Sequence, residues 1–192
     1  MARSSSAPRW AEAVGEWGRD VDEIERILGD RSLKAKAVVE GAAAVLLGGS
    51  CCIDDYVALA EQQRGARKSN LVEALELATK SKPDLVNDHC LDFLATALLD
   101  KEPRTKWEAA RVIANCCGEY SGDLRTAVEN LQQNARHDGT VVRWSVALAL
   151  SEIAKRSGYP HREELLEQIR ENEAREEKAS IKKIYAAVLK RM

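Results

Sequence analysis

Two stretches of this chain match one another at an offset of 37 residues, and that recurrence restricts the fold more than any other feature. Lys106-Trp107 is followed by Ala110 and Ile113, and Arg143-Trp144 by Ala147 and Leu150. An acidic residue, Asp100 or Asp138, precedes each basic-Trp pair. The same step back from Lys106 reaches Ser69, beside Lys68 and ahead of the run Leu71 to Ala78. A step of about 39 forward from Arg143 reaches Lys182, ahead of Ile184 to Leu189, and an earlier unit begins near Asp30, ahead of Lys36 to Ala44. A period of this size with two helices per unit signals a solenoid. One helix pair cannot bury its apolar face alone, so successive pairs stack into a continuous core.

The helix punctuation agrees. Trp10, Val14 and Trp17 stand at i, i+4 and i+7, and Asp20 with Glu23 resembles a capping box ahead of Val21, Ile24, Ile27 and Leu28. Further helices are expected over about 32–47, from Asp54-Asp55, and from about Asn70 to Thr79. Others follow after Pro83, over Pro103 to Cys117, after Ser121, from Asp138 through Ile153, after Pro160, and over Lys178 to Lys190. The reading is about eleven helices and no strand. Composition leads the same way: Ala occurs 28 times and Leu 20 times, against 27 for Val, Ile and Thr together. Ala and Leu lose little freedom in a helix, whereas β-branched residues favour strands.

At the second repeat the chain resembles the HEAT-repeat family. Asp138, Val142, Arg143, Ala147, Leu150 and Ile153 carry the resemblance, and Asp100, Lys106, Ala110 and Ile113 repeat it with Lys in place of Arg. It covers residues 100–192 well and reaches back more faintly to about 30. The resemblance implies an all-α, right-handed α-solenoid of antiparallel helix pairs. It also implies that the basic residues Lys106 and Arg143 pair with acids of the turns, Asp100 and Asp138, in a ladder between repeats. The expected division is a tail with a short amphipathic helix over 1–19 and one solenoid domain over 20–192.

Two function classes follow. In the first, the chain is a non-enzymatic scaffold that binds a protein or peptide along its concave face. At about 100° per residue, Arg143 shares a side with Val142, Val146, Ala147, Leu150 and Ile153, while Ser145, Glu152 and Lys155 lie opposite, with Trp144 among them. Trp107 falls at the corresponding boundary between an apolar side with Ala110, Ile113, Cys116 and Cys117 and a polar side with Glu108, Arg111 and Asn115. The candidate contacts are Arg104, Lys106, Trp107, Arg143 and Trp144, because Trp and Arg are the usual energetic anchors of interfaces. Inter-repeat packing is the competing role for the same indoles.

In the second class the partner is nucleic acid, by resemblance to the HEAT-like alkylpurine DNA glycosylases. That family implies a positive concave groove, tryptophans and a catalytic Asp on an inner helix. Here the residue four after Trp107 is Arg111 and four after Trp144 is Leu148, so the acid is missing from both helices. HEAT-like bilin lyases share the fold class, but no motif here singles them out.

The remaining features narrow the field. With 29 Lys+Arg against 31 Asp+Glu the net charge is −2, which excludes a globally basic nucleic-acid coat. No phosphate-cradling glycine loop, nucleophile elbow or zincin motif occurs, so no catalytic residue and no cofactor is expected. Cys51, Cys52, Cys90, Cys116 and Cys117 are odd in number and form no C-x-x-C, so they read as reduced, buried thiols rather than metal ligands. A reducing, cytoplasmic compartment and no membrane span are expected. The acidic stretch Glu163 to Glu177 and the following basic helix with Lys178, Lys182, Lys183, Lys190 and Arg191 are expected to pair with each other.

Overall fold

A computed structural model describes residues 21–191. Ten α-helices occupy them, with no strand among the described residues. They are α1 (21–29), α2 (Ala35–Gly48), α3 (Ile53–Gln62), α4 (Gly65–Thr79) and α5 (Asp88–Ala97). Then come α6 (Pro103–Cys116), α7 (Arg125–Asn134), α8 (Thr140–Ala154), α9 (Arg162–Arg175) and α10 (Ala179–Leu189). The segment Trp10, Val14 and Trp17, the Asp20 cap and the 1–19 tail lie outside the described residues.

The local chemistry explains the boundaries. Asn87 caps α5, its side chain accepting from the Cys90 amide at 2.9 Å. The Cys52 sulfur accepts from the Asp55 amide at the start of α3, whose first turn holds Asp54 and Asp55 against the helix dipole. Pro103 occupies the first turn of α6, where its missing N–H is no loss. Pro83 instead opens a separate 3₁₀ turn, Pro83–Leu85, ahead of α5. The αL residue Gly49 stops α2, with φ of 72°.

The helices form two layers. The even helices α2, α4, α6, α8 and α10 each pack on the next, and α3–α4, α5–α6, α7–α8 and α9–α10 are hairpins joining the layers. The core lies between the layers. Ile113, Leu150, Leu71 and Leu131 are fully buried there. Ala109, Ala110, Ala147 and Ala149 are equally buried, and their small size lets successive even helices approach closely. Polar side chains tie neighbouring hairpins of the odd layer. Asn130 and Asn134 of α7 donate to the carbonyls of Ala95 (2.9 Å) and Leu98 (2.8 Å) at the end of α5. Gln132 of α7 meets Gln168 and Asn172 of α9 at 2.9 Å each.

Among the described residues the five cysteines form no disulfide. Among the described residues no helix is long and apolar enough to cross a membrane.

Candidate functional site

The basic residues at the head of α4, α6 and α8 form a ladder, but not with the expected partners. Lys68 reaches Asp100 at 2.9 Å, Lys106 reaches the Asn134 carbonyl oxygen Oδ1 at 3.0 Å, and Arg143 binds Glu176 through Nε at 3.0 Å and Nη2 at 3.3 Å. Each cation therefore grips the next hairpin, at the end of its first helix or in its turn. Asp100 belongs to Lys68 rather than Lys106. Asp138 offers Arg143 only its main-chain carbonyl, at 3.1 Å, beside that of His137 at 2.8 Å. The physical reason is reach: a side chain leaving the first turn of a helix meets the adjacent stacked turn more readily than the turn it has just left. Burial pushes the Glu176 carboxyl up, but the Arg143 and Lys178 N–H bonds and the Arg143 charge together outweigh this and hold it below the ordinary glutamate value.

The two tryptophans stand on adjacent even helices at corresponding positions, yet their surroundings differ. Trp107 is half-buried and packs on the core. Its indole Nε1 donates to Glu108 at 2.6 Å. Trp144 is 39% exposed. Its following residue is Ser145, so the carboxylate that engages the first indole has no counterpart beside the second.

Helical periodicity puts Glu108 and Ser145 on the polar, outward side, yet both are buried. In a stacked array a helix has neighbours on three sides, so positions on the flank between the core and the outward edge are covered by the preceding even helix. Across that contact Arg111 of α6 bridges Glu76 (2.6 Å) and Glu108 (3.4 Å), while Glu76 also takes Lys80 at 2.9 Å. Arg104 spans the same gap, pairing with Glu73 and donating to Asn70 Oδ1 at 2.9 Å. Burial pushes the Glu108 carboxyl up, and the charges of Glu73 and Glu76 add to this. The Trp107 bond and Arg111 pull it back only in part. Glu73, Glu76 and Glu108 thus turn a face that looks basic in sequence into one of mixed charge. The repeat alignment holds no sign of them, since none recurs at the 37-residue step.

Of the five candidate residues, Trp107 and Trp144 share the outward edge, Arg104 is tied to α4, and Lys106 and Arg143 serve as rungs of the ladder. The expected pairing of α9 with α10 does not occur. Among the described residues Lys182, Lys183 and Lys190 make no ion pair, and the α9 acids that pair do so locally, Glu171 with Arg175 and Glu163 with Arg162.

No family model and no curated protein matches this chain. Solved structures do match. A designed armadillo repeat protein in complex with the peptide (KR)4 superposes with a TM-score of 0.65 at 14% identity, over 95% of this chain and 84% of that one. The fold of this chain is an all-α helical-repeat solenoid similar to that of the designed armadillo protein. Two engineered proteins solved as structural-genomics targets give TM-scores of 0.64 and 0.62 at 19% and 17% identity. They cover 95% and 88% of this chain, and 83% and 77% of their own lengths. At these identities the likeness speaks for the fold.

Proposed function

We propose that this solenoid is a non-enzymatic scaffold of the HEAT type that binds a protein or peptide along the even-helix face, its concave side. Residues 20–192 act as one domain and 1–19 as an appendage. Trp107 and Trp144 are the apolar anchors, and Arg104, Lys106 and Arg143, held by Glu73, Asn134 and Glu176, border the partner's site and fix the helices that present the indoles. One observation carries this reading: an indole left 39% exposed beside a second, half-buried one, on a surface whose arginines are already neutralised. Exposed aromatic surface of this kind is the usual centre of a protein contact. Nucleic acid, the alternative partner, is less well served, because Arg104, Arg111 and Arg143 are engaged by carboxylates rather than free for phosphate. A designed relative in fold was solved with a peptide bound. Cysteines without a disulfide suit a reducing, cytoplasmic setting.

The test is affinity capture from the native cell with wild type and Trp144→Ala, a change at an exposed position that leaves the core intact. Loss of specific partners from the variant is expected. An unchanged partner set with a folded variant removes the ridge.

A further inference from the structure

We propose that the outward edge of α8 receives an amphipathic helix bearing carboxylates along one flank. This partner class rests on the peptide-binding reading above and narrows it. Val141 is 53% exposed and Trp144 39%, and the partly buried Leu148 follows, at spacing i, i+3 and i+7. Those intervals put the three side chains on one stripe about 10 Å long, the length that two turns of a partner helix cover. The other large exposed apolar residues among the described ones lie elsewhere, Leu47 on α2 and Leu33 and Leu99 in turns. A pair between Glu152 and Lys155 (2.5 Å) closes the stripe with charge.

The two sides of the stripe differ. Toward α6 lie Trp107 and arginines already held by Glu73, Glu76 and Glu108. Toward α10, Ala179 and Ala187 are exposed among Lys182, Lys183 and Lys190, which are exposed and make no ion pair among the described residues. The surface therefore drops from a tall indole to short alanines, where a helix backbone can come close. The unpaired lysines Lys182, Lys183 and Lys190 lie on that side, whereas the arginines of the other side are held by carboxylates, so the complementary helix places its acids toward α10. An extended peptide crossing from α6 to α8 would meet both indoles but leave Val141 and Leu148 uncovered. A phosphate backbone would take the lysines and leave the apolar stripe in water. A second copy offers the acidic α9, but its Leu165, Leu166 and Ile169 are buried in its own core and provide no anchors.

The experiment measures fluorescence anisotropy of three labelled 18-residue peptides with the full chain. One has leucines at i, i+3, i+4 and i+7 with glutamates along one flank. The second has lysines for the glutamates, and the third has the first composition with two central prolines. The acidic helix is expected to bind tightest, the others at least about tenfold more weakly. Val141→Ser and Trp144→Ala should each weaken the acidic helix by about tenfold. The double variant Lys182→Glu/Lys183→Glu should reverse the preference between the acidic and basic peptides, with circular dichroism confirming that each variant is folded. Equal binding of the acidic and basic helices, or of the acidic and proline peptides, overturns this proposal. If Trp144→Ala still weakens binding in that case, the broader peptide-binding reading survives. Indifference of every peptide to Trp144→Ala removes both. A peptide-free dimer in light scattering that Val141→Ser converts to monomer makes the occupant a second copy and also overturns the proposal.

Discussion

Trp107 and Trp144 occupy equivalent repeat positions with different duties, and the difference comes from one neighbouring residue. Glu108 is almost fully buried and takes the Trp107 indole N–H on one carboxylate oxygen, while its other oxygen has only the longer contact to Arg111, at 3.4 Å. Trp107→Phe should therefore cost about 1–2 kcal/mol in urea unfolding, whereas Trp144→Phe should change stability by no more than about 0.5 kcal/mol. Equal costs at the two positions would contradict the assignment. Glu176 makes a pH-dependent contribution. Its folded-state carboxyl is held below the ordinary value, so the stabilisation is fully present above the unfolded value of about 4.3 and is lost as pH falls through the lower, folded one. Glu176→Gln should be about 2 kcal/mol less stable at neutral pH, and its deficit should shrink in acid as wild type loses the same interaction. A deficit independent of pH would show that packing, not ionisation, is what the glutamate supplies.

At the level of elements, the rungs from α4, α6 and α8 are built on one plan with unlike chemistry. Two end on carboxylates and the middle one on an amide. The reason is visible at Asn134, whose Nδ2 donates to the carbonyls of Leu98 and Asn130 while its Oδ1 receives Lys106. Restoring an acid there would add an ion pair and remove the donor from two buried carbonyls. Asn134→Asp is thus expected to destabilise the chain, by roughly 1–3 kcal/mol in urea unfolding, and a more stable variant would show that the ion pair dominates. The α9–α10 hairpin teaches a related lesson. Opposite charges adjacent in sequence remain apart because helix rotation is set by burying Leu165, Leu166 and Ile169 on one helix and Ile181, Tyr185 and Val188 on the other. Apolar burial outweighs surface ion pairs, which contribute little.

For the molecule as a whole, stacking makes stability a matter of neighbouring contacts. The five thiols report on it. Cys51, Cys90, Cys116 and Cys117 are buried, and burial raises Cys116 to about 12 and Cys117 to about 11. Cys52 is partly exposed, and burial together with Asp55 raises its thiol as well. Titration with a thiol reagent should modify one cysteine slowly in the native chain and all five in denaturant. Rapid native modification of Cys116 or Cys117 would mean that the centre of the array opens locally.

The layered architecture was legible in the amino-acid sequence because a repeated apolar pattern has a single physical resolution, the stacking of units that cannot bury themselves. The paired Lys106-Trp107 and Arg143-Trp144, the glycine after α2 and the proline heading α6 are local signals, and local chemistry decides helix ends. Periodicity on one helix says nothing, however, about which neighbour covers its far side. The burial of Glu108 and Ser145 and the capture of Arg143 by Glu176 depend on how helices 30 or more residues apart come to rest, and the separation of α9 acids from α10 lysines on how each of the two is seated in the stack. Only the tertiary structure settles that, because packing of the whole stack, rather than any nearby residue, sets the rotation of each helix.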